Sequence, residues 1–417
     1  MEAALRVVRY LKGSPGQGVL LRSNSQLSVS GDSPVSWKTK KQHIVTLSSA
    51  EAEYRSMAAL VCELKWLKGL LAIQYQLNSI FLNIGVGVVQ CSNHHHHHGP
   101  KKLFVFGDSY ADTGNDRNPD AKSWKEPYGI TFPGKPSGRF SDGRVFTDFL
   151  AKSLKLKSPI PYIRRNRRNS HLRYGMNLAY GGTGVFDTKM PYPNMTTQIN
   201  MFQQLLNQSI FTPQDLQHSI AYVSLVGNDY TNYLANGGTA QGLQTFIPKV
   251  VNQLVLNIER IYKMGVKKIL VTGLQPLGCL PHSTYPSLYK KCDNASNTAT
   301  QFHNLLLQKS VLKLNNMTAN GSTSFPFVTI DLYKAFSSII QPPIAEQKKS
   351  VFKNLLVPCC TGLNSTYDCG SVDANFKKMY TVCSDPKSYF FWDSSHPTQA
   401  GWEALTLSLQ SIIQQLR

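Results

Sequence analysis

The sequence predicts an α/β fold, in which one parallel β-sheet is covered by helices on both faces. From residue 101 onward, short apolar segments rich in β-branched residues alternate with long helical segments, and this alternation is typical of three-layer α/β/α domains. The apolar share of 41% and the charged share of 16% belong to a globular protein with a core, and they exclude a disordered chain or a coiled coil.

Four buried strands and four long helices are predicted in this part of the chain. A strand covered on both faces is apolar along its whole length, and such runs occur at 101–106, 220–226, 268–272 and 325–332. The helical segments lie at 196–209, 243–264, 295–317 and 397–416.

The segment in front of this domain is incomplete. Residues 1–71 resemble part of the ribonuclease H domain of copia-type plant retrotransposons, on ALRVVRYLKGSPGQGVLL and SWKTKKQHIVTLSSAEAEYRSMAALVCELKWLKGLL. The resemblance implies that Glu51 matches a metal-binding carboxylate, but the stretch with the first catalytic Asp is missing between Gly31 and Asp32. Two-metal chemistry needs carboxylates from several elements. We therefore interpret residues 1–78 as a truncated remnant without nuclease activity and not as an independent domain.

Residues 79–100 combine a signal-like apolar stretch with a His-rich linker. SIFLNIGVGVVQCSN ends in small residues, as the h-region and cleavage site of a secretory signal do, but a signal peptide belongs at the N-terminus. A core strand or the end of a helix is the alternative interpretation. His94 to His98 are interpreted as a solvated tract or an engineered tag, and no metal site is predicted there. The hydrolase-like domain is expected to span 101–417.

The later cysteines predict a disulfide framework and an oxidising compartment. Six of the eight cysteines lie in the later part, and their spacings do not pair two Cys-x-x-Cys knuckles as a zinc site would. Fifteen pairings of six cysteines are open at this point. The sequence also has six Asn-x-Ser/Thr sequons, so a secreted glycoprotein is expected; they are at Asn194, Asn207, Asn294, Asn316, Asn320 and Asn364.

The chain is strongly basic, with a formal net charge of +20. Such an excess favours contact with polyanions such as acidic polysaccharide or anionic membrane, and it says nothing about fold. Its densest cluster is interpreted as a solvated loop and comprises Arg164, Arg165, Arg167, Arg168, His171 and Arg173. A transmembrane anchor is not expected, because the most apolar stretch, 70–89, is interrupted by four amide side chains.

The first predicted strand leads directly into FGDSYADTGN, residues 106–115. Ligands bind at the carboxyl ends of parallel strands, so Ser109 is the candidate nucleophile. A serine hydroxyl is weak at neutral pH and needs a base within hydrogen-bond reach, itself oriented by a third group. FFWDSSHPTQAGW supplies both groups, because Asp393 and His396 are three residues apart just before the last predicted helix.

An acyl-transfer site also needs fixed donors for the developing oxyanion. Asn228 follows the second predicted strand in SLVGNDYTNY, where its side-chain amide is able to donate. NLAYGGTGVFD supplies Gly181 and Gly182, whose missing side chains let backbone N–H groups approach a substrate. Each of these patterns is weak alone. The four blocks FGDSYADTGN, NLAYGGTGVFD, SLVGNDYTNY and FFWDSSHPTQAGW, in this order along the chain, are specific together.

On these four blocks, and on PYGITFPGKPSGRFSDGR and TGLQPLGCLP, residues 101–417 resemble the plant GDSL esterase/lipase family of SGNH hydrolases. The resemblance implies a flavodoxin-like parallel sheet and a serine ester hydrolase that uses no cofactor and no metal. It implies small-molecule or lipid esters as substrates, with acylated cell-wall polysaccharide also open, and no nucleic-acid partner. Tyr110 stands where many members have Leu.

The resemblance also assigns roles to individual residues. It implies that Ser109 is the nucleophile and that its own N–H contributes to the oxyanion hole. His396 is implied as the base and Asp393 as the group that orients it. The other oxyanion donors are the side chain of Asn228 and the N–H of Gly182, with Gly181 open because the register of the pair is uncertain.

Other classes of enzyme fit these residues less well. The elbow of α/β-hydrolases needs Gly-x-Ser-x-Gly, and Ser109 has no glycine two positions later. A glycosidase needs two carboxylates that flank a sugar, whereas Asp108 and Asp112 share one short loop, where we expect Asp112 to hydrogen-bond the turn. The alternative that stays open is a basic cell-wall or polyanion-binding protein with an inactive hydrolase scaffold.

Overall fold

The computed structural model describes residues 99–117, 121–166, 169–318, 325–341 and 351–416. The chain divides into two units, Met1–His95 and His96–Arg417, and the described residues all belong to the second. The predictions for the ribonuclease H remnant, the signal-like stretch and the His tract therefore lie outside the described residues.

A six-stranded parallel sheet forms the centre of the second unit, which confirms the predicted fold class. Its strands are ordered β2–β3–β1–β4–β5–β6, and each neighbouring pair runs parallel. The strands are β1 Lys102–Gly107, β2 Ile160–Pro161, β3 Gly175–Asn177, β4 Ser219–Ser224, β5 Lys268–Thr272 and β6 Phe327–Ile330.

Side chains of the central strands alternate between two hydrophobic cores. On β1, Leu103 and Val105 pack into one core, while Phe104 and Phe106 pack into the other, as the period of two in a strand requires. Both faces of the sheet are therefore covered, and this is why the central strands are apolar throughout.

Helices on each face complete the three layers. One core includes side chains of four helices: α1 Phe146–Ser153, α8 Leu332–Ile340, α9 Gln399–Ser408 and α10 Gln410–Gln414. The other core includes side chains of three long helices, α2 Met195–Asn207, α5 Leu243–Lys263 and α7 Asn294–Thr318, together with Leu216 and Tyr230 from two shorter ones. Three shorter helices lie in the connections: α3 Pro213–Gln217, α4 Asn228–Ala235 and α6 Pro281–Thr284.

The predicted boundaries are wrong at three places. The second strand ends at Ser224, before the predicted 226, and the fourth stops at Ile330 because the Asp331 side chain accepts the Lys334 N–H and caps α8. The predicted last helix is two helices, and it begins only after Thr398, whose hydroxyl accepts the Gly401 N–H.

The C-terminal part carries two small sheets and most of the disulfide framework. β7 Asn354–Pro358 pairs with β10 Tyr389–Phe391, and β8 Cys360–Gly362 pairs with β9 Tyr380–Val382. All six later cysteines are paired, which confirms the disulfide prediction; the bonds are Cys279–Cys292, Cys359–Cys383 and Cys360–Cys369.

The topology places a site at the carboxyl end of β1. From β1 the chain goes to β2 and β3 on one side, and only then to β4 on the other side. The loops that follow β1, β3 and β4 consequently diverge at one edge of the sheet, and such switch points form ligand-binding crevices.

Candidate active site

Ser109 lies two residues beyond the last residue of β1. Gly107 closes this strand, and its N–H and C=O both bond the buried amide of Gln198, at 2.8 and 2.9 Å. A Cβ on Gly107 would lie 2.1 Å from the carbonyl oxygen of Ser224 on β4, so only glycine fits between the strands here. This tight strand end holds Ser109, which is 7% exposed, at the base of the cleft.

The structure brings Ser109, His396 and Asp393 into one hydrogen-bonded chain. The Nε2 atom of His396 lies 2.9 Å from Ser109 Oγ, although 287 residues separate them. The Nδ1 atom of His396 lies 2.8 and 2.9 Å from the two carboxylate oxygens of Asp393. Both contacts are within the reach of proton transfer and of imidazole orientation.

The turn 393–396 is held in shape by its own carboxylate and by neighbouring elements. Asp393 Oδ1 accepts the backbone N–H groups of Ser395 and His396, each at 2.8 Å. From outside, the Tyr110 hydroxyl donates to the Ser395 carbonyl at 2.7 Å, and the His282 N–H donates to the Ser394 carbonyl at 3.0 Å. These bonds therefore fix the backbone of the turn that carries the His396 imidazole before a substrate binds.

Asp393 is ionised in this environment. Burial alone would raise its pKa, but the His396 imidazole, the hydroxyl of Tyr128 at 2.7 Å and the N–H of Ser395 together lower the pKa of Asp393 to about 2. A carboxylate with this low pKa is able to hold the Nδ1–H tautomer of His396 and to stabilise an imidazolium.

The two glycines of the predicted pair differ in what their N–H groups contact. The Gly181 N–H donates to Asp112 Oδ2 at 3.1 Å. The N–H groups of Gly182 and Ser109 make no hydrogen bond within the described part of the chain, and Gly182 lines the cleft beside Ser109. Of the two registers left open by the sequence, this geometry favours Gly182.

Asn228 begins α4 and lines the same cleft. Its Nδ2 atom lies 2.9 Å from the carbonyl oxygen of Thr183 and 3.1 Å from Asp108 Oδ2. The Asn228 side-chain amide is thus held between the loop after β3 and the loop after β1. Its nitrogen donates a hydrogen bond to each of these loops.

Several buried groups that support these residues were not identified from the sequence. Tyr128, which donates to Asp393, lies inside the family-like block PYGITF, but nothing in that block indicates a partner 265 residues away. Gln198 is a buried amide on an otherwise ordinary amphipathic helix.

Asp112 bonds the turn as predicted, because its carboxylate accepts the N–H groups of Gly114 and Asn115.

The cleft around Ser109 has a volume of about 260 Å³. Apolar side chains from the loops after β4 and β5 form part of its wall, namely Val226, Leu277 and Leu280. Lys122 and Asp368 pair with each other at another part of the wall. The cleft therefore offers both an apolar and a polar surface to a substrate.

No group of three or more His, Cys, Asp or Glu side chains is arranged to hold a metal ion in the described ranges. Among the helices of that same part, none is long and apolar enough to cross a membrane.

Known proteins similar to this chain identify its family. Residues 103–408 match the family model described as GDSL-like Lipase/Acylhydrolase. The chain belongs to this family. A GDSL esterase/lipase of Arabidopsis thaliana is 50% identical over 328 residues, which cover 76% of this chain and 90% of the relative. A second, from the same plant, is 49% identical over 334 residues, 79% of this chain and 93% of the relative.

A more distant relative has a more specific name. Acetylajmalan esterase 2 of Rauvolfia serpentina is 30% identical over 329 residues, which cover 72% of this chain and 86% of that protein. With the GDSL relatives it supports the assignment of this chain as an ester hydrolase, which was predicted from the four blocks.

Proposed function

We propose that the protein hydrolyses carboxylic esters through a Ser109–His396–Asp393 triad and an acyl-enzyme on Ser109. The single observation that carries this proposal is the continuous chain of contacts from Ser109 Oγ through both nitrogens of His396 to Asp393. A weak nucleophile, a base within reach and a carboxylate that orients the base are the three parts that this chemistry needs.

The first half of the reaction transfers the acyl group to the enzyme. Ser109 Oγ attacks the ester carbonyl while its proton passes to His396 Nε2, and the carbonyl π electrons move to the oxygen. When the tetrahedral intermediate collapses, the bond to the alkoxy oxygen breaks and His396 returns the proton to the leaving alcohol.

The second half releases the acid. A water molecule gives a proton to His396 and attacks the acyl carbon, the Oγ–carbon bond breaks, and the proton returns to Ser109. Asp393 stays ionised throughout and stabilises the imidazolium that forms twice in the cycle.

The oxyanion is held by three donors in this proposal: the N–H groups of Ser109 and Gly182 and the amide of Asn228. The two N–H groups are without an internal partner in the described residues, as groups reserved for a ligand would be. The Asn228 N–H that faces Asp108 at 3.1 Å is shared with the oxyanion, since three-centre hydrogen bonds are common in proteins.

We propose small-molecule esters with short acyl groups as the first substrates to examine. The cleft volume of about 260 Å³ suits a short acyl chain better than a long one, and a relative at 30% identity is named as an esterase of an acetylated compound. Lipid esters and acylated cell-wall polysaccharide should be assayed beside them. The polysaccharide is included because a chain with net charge +20 attracts acidic polymers.

We also propose that the protein is secreted. Three disulfides fit an oxidising compartment. Four sequon asparagines are exposed on the described surface, namely Asn207, Asn294, Asn316 and Asn364. N-terminal sequencing of the mature protein tests this proposal, because an exported chain begins near the signal-like stretch 79–92.

Turnover of p-nitrophenyl butyrate by Ser109→Ala tests the mechanism. We expect kcat to fall by about 10⁴-fold or more, since the other groups have no covalent route without the hydroxyl. Ser219→Ala is the matched control, because Ser219 is equally buried but lies at the opposite end of the sheet, on the first residue of β4. Wild-type rates in Ser109→Ala would refute the triad.

A second measurement separates the enzyme from an inactive scaffold. A fluorophosphonate probe should label the wild-type protein and not Ser109→Ala. Salt-sensitive retention on pectin without probe labelling or ester turnover would instead favour the polyanion-binding alternative.

A further inference from the structure

Asp108 is a buried carboxylate beside the nucleophile, and the proposed reaction gives it no role. It is 0% exposed and accepts three hydrogen bonds. Oδ1 accepts the N–H of Tyr110 at 3.2 Å. Oδ2 accepts the N–H of Val226 at 2.8 Å and the amide of Asn228 at 3.1 Å.

Both oxygens of the Asp108 carboxyl group accept from fixed N–H groups. An asparagine would keep an acceptor opposite Val226 and Asn228 only by placing its NH₂ group opposite the Tyr110 N–H. Burial of a charge in this position is costly, and burial raises the pKa of Asp108 to about 7. Turn formation alone is a weak reason for such a group, since a serine or asparagine bonds a turn without this cost.

Asp108 links the two parts of the site that come from different strands. It follows β1, while Val226 and Asn228 follow β4, and its Oδ2 atom bonds both of them. The only other acceptor near Asn228 Nδ2 within the described ranges is the Thr183 carbonyl, at 2.9 Å. Without Asp108, the Thr183 contact alone would hold the Asn228 amide, so the orientation of the amide would be less firmly fixed.

We propose that Asp108 is a positioning residue, which holds the Asn228 amide in the geometry that receives the oxyanion. This inference rests on the proposed function, because it assigns the purpose of Asp108 to a tetrahedral intermediate on Ser109. The donor is oriented in the free enzyme, so it needs no reorganisation when charge develops on the substrate oxygen.

The inference predicts a loss in kcat and not in substrate affinity. The ester carbonyl of the ground state needs the oxyanion donors much less than the tetrahedral intermediate does. Asp108→Ala, which removes the acceptor, should therefore lower kcat by about 10²-fold, as the loss of one oxyanion donor does, with KM within about threefold of the wild type. The affinity of butane-1-boronic acid, which forms a tetrahedral adduct with the serine, should fall with kcat.

Asp142→Ala is the matched control for burial and charge. Asp142 is also a buried loop carboxylate, 2% exposed, and its Oδ1 accepts the N–H of Gln399, but it contacts none of the site residues named above. We expect kcat and boronate affinity of this variant to stay within about threefold of the wild type.

A double-mutant cycle identifies the route of the effect. If Asp108 acts through Asn228, then Asp108→Ala added to Asn228→Ala should lower kcat little further, because the oriented group is already gone. Asp108 also interacts electrostatically with His396, and an effect through His396 would instead multiply with that of Asn228→Ala. A multiplicative cycle overturns the inference.

Two other outcomes overturn it as well. One is a folded Asp108→Ala variant with kcat and boronate affinity close to wild type, and the other is an equal loss in Asp142→Ala. Failure of the proposed function is distinguishable from all of these, since it appears as turnover that survives in Ser109→Ala.

Discussion

Asp393 shows how a buried charge is compensated residue by residue. Its two oxygens accept from the His396 ring, from the N–H groups of the turn and from the Tyr128 hydroxyl. Tyr128 is 1% exposed, so its hydroxyl is shielded from solvent. The bond to Asp393 therefore satisfies the hydrogen-bonding need of this hydroxyl. Hydrogen bonds to charged groups contribute about 1.5–3 kcal/mol each.

Tyr128→Phe should therefore weaken both stability and catalysis. We expect a loss of about 2 kcal/mol in the free energy of unfolding and a fall of about tenfold in kcat/KM, because an Asp393 with one partner fewer orients His396 less well. Urea unfolding and ester turnover measure the two effects. Tyr222→Phe is the control: Tyr222 is also 1% exposed but is not bonded to the triad, and it should leave kcat/KM unchanged. An unchanged kcat/KM in Tyr128→Phe would contradict the orienting role.

At the scale of an element, the loop after β3 carries one oxyanion donor in a conformation that suits glycine. Gly182 has φ +78°, and its carbonyl accepts the hydroxyl of Thr188 at 2.8 Å. A Cβ at this position would lie 2.6 Å from Cγ of Met190. Both the left-handed backbone and the close side chain therefore disfavour any other residue.

Gly182→Ala and Gly134→Ala separate these two effects. Gly134 has φ +87°, and a Cβ there meets nothing within 4 Å. Each variant should lose about 1 kcal/mol from backbone strain, but only Gly182→Ala should also lower kcat, by about tenfold or more, because its N–H moves. Thermal unfolding and ester turnover test this. Equal kcat values in the two variants would mean that the Gly182 N–H is not a catalytic donor.

The long elements were predictable from the sequence, and the short ones were not. β5 has the predicted bounds 268–272, because its β-branched residues favour a strand and the run is apolar on both faces of the sheet. β2 and β3 have only two and three residues, too few to show a period, and their pairing depends on β1. α4 was not predicted either, since it follows a glycine with φ +114° and carries few apolar residues.

The candidate site was predictable in its contents but not in its supports. Ser109, Asn228 and His396 each follow or precede a recognisable element, so their positions at one edge of a parallel sheet were expected. Tyr128 and Asp108 act through hydrogen bonds across 265 and 120 residues, and the sequence around a buried polar residue does not indicate its partner.

At the scale of the whole molecule, global stability depends on buried ionisable groups with opposite pH responses. Burial raises the pKa of Asp108 and of Asp112 to about 7, so the stability from their protonation is complete below about pH 4 and is lost as the pH rises through 7. Burial lowers the pKa of His303 to about 3. Its contribution has the opposite sign, because below about pH 6.5 the unfolded chain binds a proton that the folded His303 does not.

His303→Gln isolates this second contribution. His303 is 2% exposed on α7 and shares a hydrogen bond with the Tyr230 hydroxyl, and glutamine keeps a polar partner there without a titratable ring. The stability advantage of wild type over this variant should shrink by about 2 kcal/mol between pH 7 and pH 5, measured by urea unfolding. Tyr230→Phe removes the same hydrogen bond but leaves the imidazole, so its difference from wild type should stay nearly constant over that range. A gap between wild type and His303→Gln that does not change with pH would mean that His303 is protonated inside the folded protein, and that the core around α7 admits a charge.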